Sequence, residues 1–228
     1  MSQIKYINAD KYSKVFITGD IHGSYALFMQ SLNKVNFDPE KDLVVCTGDL
    51  VDRGKENLES ITLIDEPWFE SVIGNHEEFC IAGFMNDYSA SVHSATNNGG
   101  AWFYTLPLEQ QESIIDKFKK LPYIIEMSIG TTKIGIIHAD VPIDDWEELK
   151  DFVEQGYYMG SSKITDILTW SRATAKKIIN RLYTPSIANI DHVYLGHTVV
   201  HTPLTSGNIH LIDTGAVFTG NVTLLRVK

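Results

Sequence analysis

Two short runs carry the first chemical signal. In GDIHG, Asp20 and His22 stand two residues apart, just after an apolar stretch. Side chains so spaced in extended backbone point to one side, so a carboxylate and an imidazole can face one cation. In GDLVDRG, Asp49 follows a second apolar stretch. Neighbouring parallel strands lie about 4.8 Å apart. Carboxylates at two such strand ends repel each other unless cations lie between them. Asp49 has two oxygens and could bridge two metals. GNHE adds Asn75, whose amide oxygen suits a hard metal, and His76. His138 in IIHAD and His197 in LGHT each end a further apolar run. Any one of these is a common turn or buried residue. The set is different: a nitrogen and oxygen donor group without thiolate, which suits Mn, Fe, Zn or Ni better than an Fe–S cluster or Cu(I).

The elements that must position these residues read as follows. Lys14–Thr18, Leu43–Thr47 and Trp68–Ile73 are short apolar runs with strand character. Between them, Ser24–Val35 and the stretch around Leu58–Ile64 show helical spacing, and Glu77–Met85 predicts a third helix. A β-α-β-α-β order predicts parallel strands, with ligands beyond their carboxyl ends. The clusters GDIHG, GDLVDRG and GNHE fall at those ends. Residues 86–100 read as a polar loop and Pro107–Leu121 as a helix. YIIEMSI, GTT and KIGIIHA read as a hairpin. Residues 141–190 look mostly helical, and HVYLG, IHLID and NVTLLRV return to strands. No repeat, low-complexity tract or linker appears, so the expectation is one domain over residues 1–228.

Composition narrows the function. Lys plus Arg number 19 against 29 Asp plus Glu, a net charge of −10. Such a chain repels a phosphate backbone, which argues against nucleic-acid binding. Cys46 and Cys80 are far apart and show no metal-finger or redox spacing. Sparse cysteine, no apolar leader and no run of the ~18 apolar residues a membrane span needs point to a cytoplasmic protein.

The ordered set GDIHG, GDLVDRG, GNHE, IIHAD, LGHT and IDTGA resembles the calcineurin-like metallophosphoesterases. More narrowly it resembles their PPP-type serine/threonine protein phosphatases, in the subgroup of the phage lambda enzyme and bacterial relatives. PWF at 67–69, NNGGAWF at 97–103 and IDTGAVFTGN at 212–221 resemble that subgroup too. The resemblance spans Lys11 to Val227. It implies an α/β sandwich of two mixed sheets flanked by helices. It implies two divalent metal ions, with manganese the first choice for activation and Fe, Zn or Ni as others. Asp20, His22 and Asp49 would hold the first metal. Asp49 would bridge to a second held by Asn75, His138 and His197. A bridging hydroxide would attack phosphorus in line, with no phosphoenzyme. Arg53 would fork onto phosphate oxygens, joined by Arg172 in LTWSR. His76 would be the general acid, and Asp52 would hold its tautomer. Gly74 would let the backbone bring Asn75 and His76 close to the metals.

The resemblance therefore implies hydrolysis of phosphoserine and phosphothreonine in proteins, extending to phosphotyrosine. One departure is Ile73, where the family usually has Arg before GNH; it alters local charge. Diadenosine tetraphosphate hydrolysis is the enzymatic rival, because those enzymes share the motifs. A scaffold with a decayed site is the non-enzymatic rival, and it would need missing ligands, whereas all six positions are filled. GKE at 54–56 lacks the residues of an ATP phosphate loop. His93, His192, His201 and His210 are read as structural.

Overall fold

The computed structural model describes residues 3–182 and 184–228. In chain order the elements are β1 (Ile4–Asn8), β2 (Val15–Thr18), α1 (Tyr25–Lys34), β3 (Leu43–Cys46), α2 (Asn57–Thr62), β4 (Phe69–Ser71), α3 (Asn75–Met85), α4 (Asp87–His93) and α5 (Leu108–Phe118). There follow β5 (Ile124–Ile129), β6 (Thr132–Ile137), α6 (Trp146–Gln155), β7 (Tyr158–Met159), β8 (Ser162–Lys163), α7 (Ile164–Trp170) and α8 (Ala173–Ile179). The last are β9 (His192–Leu195), β10 (Leu204–Ser206), β11 (Ile209–Leu211), α9 (Ala216–Thr219) and β12 (Leu224–Arg226).

Two mixed sheets result. One has the order β12-β2-β3-β4, parallel except at β12. The other has the order β1-β5-β6-β9-β11-β10, with β5 and β6 forming the expected antiparallel hairpin. Three apolar clusters explain why the strands read as continuous apolar runs. Val15, Ile17, Leu43 and Val45 face Ile125, Met127, Ile134 and Ile136 between the sheets. The alternate residues Phe16, Val44 and Cys46 pack outward against α1, α2 and α5 through Phe28, Ile61 and Phe118. On the far side, Ile124, Ile137, Val193 and Leu195 pack on α6 and α7 through Trp146, Leu149 and Leu168. A strand apolar on both faces cannot show alternation. The fold is thus an α/β sandwich of two mixed sheets with helices outside.

Several boundaries differ from the sequence expectation. Residues 86–100 are not all loop, because α4 occupies Asp87–His93 with Asn86 as its cap, accepting from the Ser89 N–H. β4 covers only Phe69–Ser71, since the Ile73 N–H leaves the sheet to bond the Pro122 carbonyl. α3 begins at Asn75 rather than Glu77. The stretch 141–190 contains the small β7–β8 hairpin, and IDTGAVF continues into a short helix, α9. Among the described residues, no helix is long and apolar enough to cross a membrane.

Candidate metal centre

The site lies where both sheets present the carboxyl ends of their strands. Asp20 and His22 follow β2, and Asp49 to Arg53 follow β3. Asn75 and His76 open α3 after β4. The other sheet supplies His138 after β6, His197 after β9 and Asp213 after β11. Asp20, His22, Asp49, Asp52, Asn75, His76, His138 and His197 are all buried. The backbone is bent hard to do this. Eight non-glycine residues among those described have positive φ, and five are His22, Asp49, Asp52, Arg53 and His197. Such conformations cost energy and collect at functional sites.

Asp49 is the focus. Its Oδ2 lies 3.5 Å from His22 Nε2, 3.4 Å from His138 Nε2 and 4.0 Å from His76 Nε2. Its Oδ1 accepts from the His76 backbone N–H at 2.9 Å. His138 Nε2 is also 3.0 Å from Asn75 Oδ1. Asp20 Oδ2 is 3.9 Å from His22 Nε2, and its carboxylate accepts the His197 backbone N–H and the Thr47 hydroxyl. Gly74 is required where these loops meet: a Cβ there would run into the Asp49 side chain and its backbone nitrogen.

The outer nitrogens of the imidazoles are tied down. His22 Nδ1 bonds the Val51 carbonyl at 2.9 Å, and His138 Nδ1 the Thr47 carbonyl at 2.7 Å. The Nε2 of His197 is buried with no hydrogen-bond partner. His22 and His138 therefore donate outward from Nδ1 and turn Nε2 inward, as metal-binding histidines do. Burial pushes His22 down to about 3 and His197 to about 2, so both are neutral donors. Burial works against charge on Asp49, but His138, His76 and His22 hold it well below the carboxylate range. Burial opposes protonation of His138 too, yet Asp49 lifts it to about 10. Asp20 goes the other way: burial, then Asp213 and Asp49, raise it. Crowded carboxylates, a partnerless buried Nε2 and inward nitrogens fit divalent cations. His22, Asp49 and His76 can converge on one point, and Asp49, His138 and His197 on another.

Beside this cluster, His76 Nδ1 bonds Asp52 Oδ2 at 2.7 Å. Arg53 is partly exposed at the rim, and its Nη1 lies 2.5 Å from His22 Nε2. Arg172 stands at the N-terminal end of α8 and is exposed, close enough for its charge to depress His197. All ten residues singled out in the sequence therefore border one region. Ile73 is buried and contributes packing at the departure point.

Several residues that hold the site lie outside the sequence expectation. Glu77 accepts from the backbone N–H groups of Asp49, Leu50 and Gly74 at 3.0, 2.8 and 2.9 Å, tying two site loops together. Burial and Asp49 raise it to about 7. Glu77 stands at the third position of α3 and takes the N–H of the N-cap Gly74, the glutamate half of a capping box; with glycine at the N-cap, the sequence carries no full signature of it. His93, structural by the sequence expectation, instead bonds Asp52 Oδ2 at 2.7 Å. Trp102 Nε1 bonds Asp52 Oδ1 at 2.7 Å. Asp213 lies beside Asp20, buried and raised first by burial.

A family model for calcineurin-like phosphoesterases matches residues 13–213. The chain is 34% identical to serine/threonine-protein phosphatase 2 of Salmonella typhimurium, over all of both chains. It is 30% identical to the asymmetrical bis(5'-nucleosyl)-tetraphosphatase PrpE of Geobacillus thermodenitrificans, over 92% of this chain and 89% of that one. Its fold matches the crystal structure of a provisionally assigned diadenosine tetraphosphatase with a TM-score of 0.66, at 20% identity, covering 100% of this chain and 94% of that one. The chain belongs to the calcineurin-like phosphoesterases. It is accordingly a hydrolase of a family that works with divalent metals.

Proposed function

We propose that the protein is a metal-dependent phosphomonoesterase acting on phosphoserine and phosphothreonine in proteins, and on phosphotyrosine as well. The observation that carries this is the convergence of inward Nε2 atoms on the Asp49 carboxylate, with the His76–Asp52 pair alongside. The full-length likeness to a protein phosphatase supports the choice of substrate. Asp20, His22 and Asp49 would hold one divalent ion, and Asp49, Asn75, His138 and His197 a second. Manganese is the first choice, with Fe, Zn and Ni compatible with the same donors. Such a pair supplies Lewis acidity and an acidified water nucleophile.

The chain's own groups do the rest. Arg53 and Arg172 at the rim bind phosphate oxygens through paired N–H donors. His76 keeps Nδ1–H on Asp52, so Nε2 is the atom that passes a proton to the leaving alkoxide. The buried setting excludes bulk water from both groups. Because both sheets supply site residues, we take residues 1–228 as one catalytic domain. Two free, buried cysteines accord with a reducing cytoplasmic compartment.

Diadenosine polyphosphate hydrolysis is the second reading, favoured by the likeness to PrpE. Phosphate release from a phosphoserine peptide, measured on metal-stripped protein with and without added Mn²⁺, tests the first. Release only with metal is expected. A protein that ignored the peptide but cleaved diadenosine tetraphosphate would overturn the monoesterase reading.

A further inference from the structure

Asp52 is bonded on more sides than orienting His76 requires. Its Oδ2 meets both His76 Nδ1 and His93 Nε2 at 2.7 Å, and its Oδ1 meets Trp102 Nε1 at 2.7 Å. An ionised carboxylate only accepts, so both imidazole nitrogens facing it must carry hydrogen. In the neutral imidazole that leaves His93 Nδ1 as an acceptor, and the Tyr104 hydroxyl lies 2.8 Å from it. The direction of every bond follows: Tyr104 donates to His93, His93 donates to Asp52, and His76 donates to Asp52 from the other side. Cys80 Sγ is 3.9 Å from His93 Nε2, and burial keeps its thiol protonated. Hydrogen bonds rather than a cation therefore account for this cluster.

The surroundings leave room for the arm. A Cβ on Gly100 would strike the His93 ring, and a Cβ on Gly83 would strike the Tyr104 hydroxyl. Gly83 sits inside α3, where glycine costs about 1 kcal/mol relative to alanine. Phe79 stacks on His93, with ring centres 5.4 Å apart and planes 14° apart. The same Phe79 meets His76 edge-on at 5.7 Å.

We propose that His93, backed by Tyr104, is a positioning residue that fixes the Asp52 carboxylate and through it the tautomer and ring orientation of His76. The claim about turnover rests on the phosphomonoesterase reading above. The claim about the ring does not. With His93 gone, Oδ2 loses a donor, the buried carboxylate can turn, and His76 loses its single orientation.

The test compares wild type with His93→Leu, His93→Gln and Tyr104→Phe, each loaded with Mn²⁺. Two substrates are used: a phosphoserine peptide, whose alkoxide needs a proton to leave, and p-nitrophenyl phosphate, whose phenolate does not. His93→Leu is expected to lower kcat on the peptide by roughly 10- to 100-fold, part of the ~10²–10⁴ that general acid catalysis contributes. KM should stay nearly constant and p-nitrophenyl phosphate should suffer far less. His93→Gln, which can still donate to Oδ2, should recover much of the loss. Tyr104→Phe should lose only a few-fold, with the same substrate bias. Equal losses on both substrates, or none, would overturn the proposal. Nitrogen-15 NMR of the His76 ring, recorded on diamagnetic Zn²⁺-loaded protein at a pH where the ring is neutral, provides a readout that needs no turnover. A single Nδ1–H tautomer in wild type that becomes mixed in His93→Leu supports positioning, and identical spectra contradict it. If wild type hydrolyses neither substrate, the phosphomonoesterase reading fails, while the NMR comparison still decides the role of His93.

Discussion

Asp49 and Asp52 sit three residues apart in one turn, both buried and both with positive φ. Their surroundings are opposite. Asp49 Oδ2 is ringed by imidazole nitrogens at 3.4 to 4.0 Å, too far for good hydrogen bonds. Asp52 is closed by three N–H donors, each at 2.7 Å. Distance alone separates a carboxylate that leaves room for an ion between itself and its neighbours from one that holds a ring still. Chain geometry, not residue type, sets the role. Asp49 faces the other sheet's strand ends, whereas Asp52 has turned back toward α3 and the 93–104 segment.

Replacing each residue should break the comparison in a different way. The largest effect is expected for Asp49→Asn, which removes the carboxylate charge on which the imidazoles converge. Metal stabilisation of a transition state is worth several kcal/mol, so kcat/KM should fall by about 10³-fold. Steady-state hydrolysis of a phosphopeptide at saturating Mn²⁺ reads this. His76→Asn acts on the other half and should cost ~10²–10³ on an alkyl phosphate. Its Mn²⁺ activation midpoint should stay in place; a shifted midpoint would mean that His76 belongs to the metal half instead.

The cluster around Asp49 was more legible in the sequence than the cluster around Asp52, for a physical reason. Asp20, Asp49, Asn75, His138 and His197 each follow an apolar run, and strand ends converge in α/β folds. His93, Trp102 and Tyr104 follow no such run. They reach Asp52 and one another through a short polar helix and a 3₁₀ turn at 100–105, and His93 and Trp102 stand 41 and 50 residues from Asp52. No periodicity announces a contact of that kind. The sandwich itself was readable from its continuous apolar strands. The edge strands β1 and β10, with half-exposed residues, were not.

Glu77 sharpens the comparison from beneath, since it fixes the turn that carries Asp49. One oxygen accepts from Asp49 and Gly74 and the other from Leu50. Glu77→Gln presents an amide hydrogen to one of those N–H groups and should cost about 1–3 kcal/mol. Urea unfolding of metal-free protein measures it. A carboxylate outside the site sets the smallest scale. Glu126 accepts from Lys150 at 2.6 Å and from Trp146 at 2.8 Å. Burial favours its neutral form, but these partners outweigh burial and lower its pKa. Its contribution is therefore present above the ordinary glutamate value of about 4.3 and lost as pH falls through the lower folded value. Glu126→Gln should cost under about 1 kcal/mol at pH 7, and the difference from wild type should vanish in acid.

Metal content tests the division of labour most directly. Asp49→Asn and Asp52→Asn would be stripped, reloaded with Mn²⁺, passed through a desalting column and analysed for bound metal beside wild type. Wild type and Asp52→Asn are both expected to hold two ions per chain, and Asp49→Asn to lose at least one. Equal metal content in the two variants would contradict the separation of a cation-holding carboxylate from a ring-holding one.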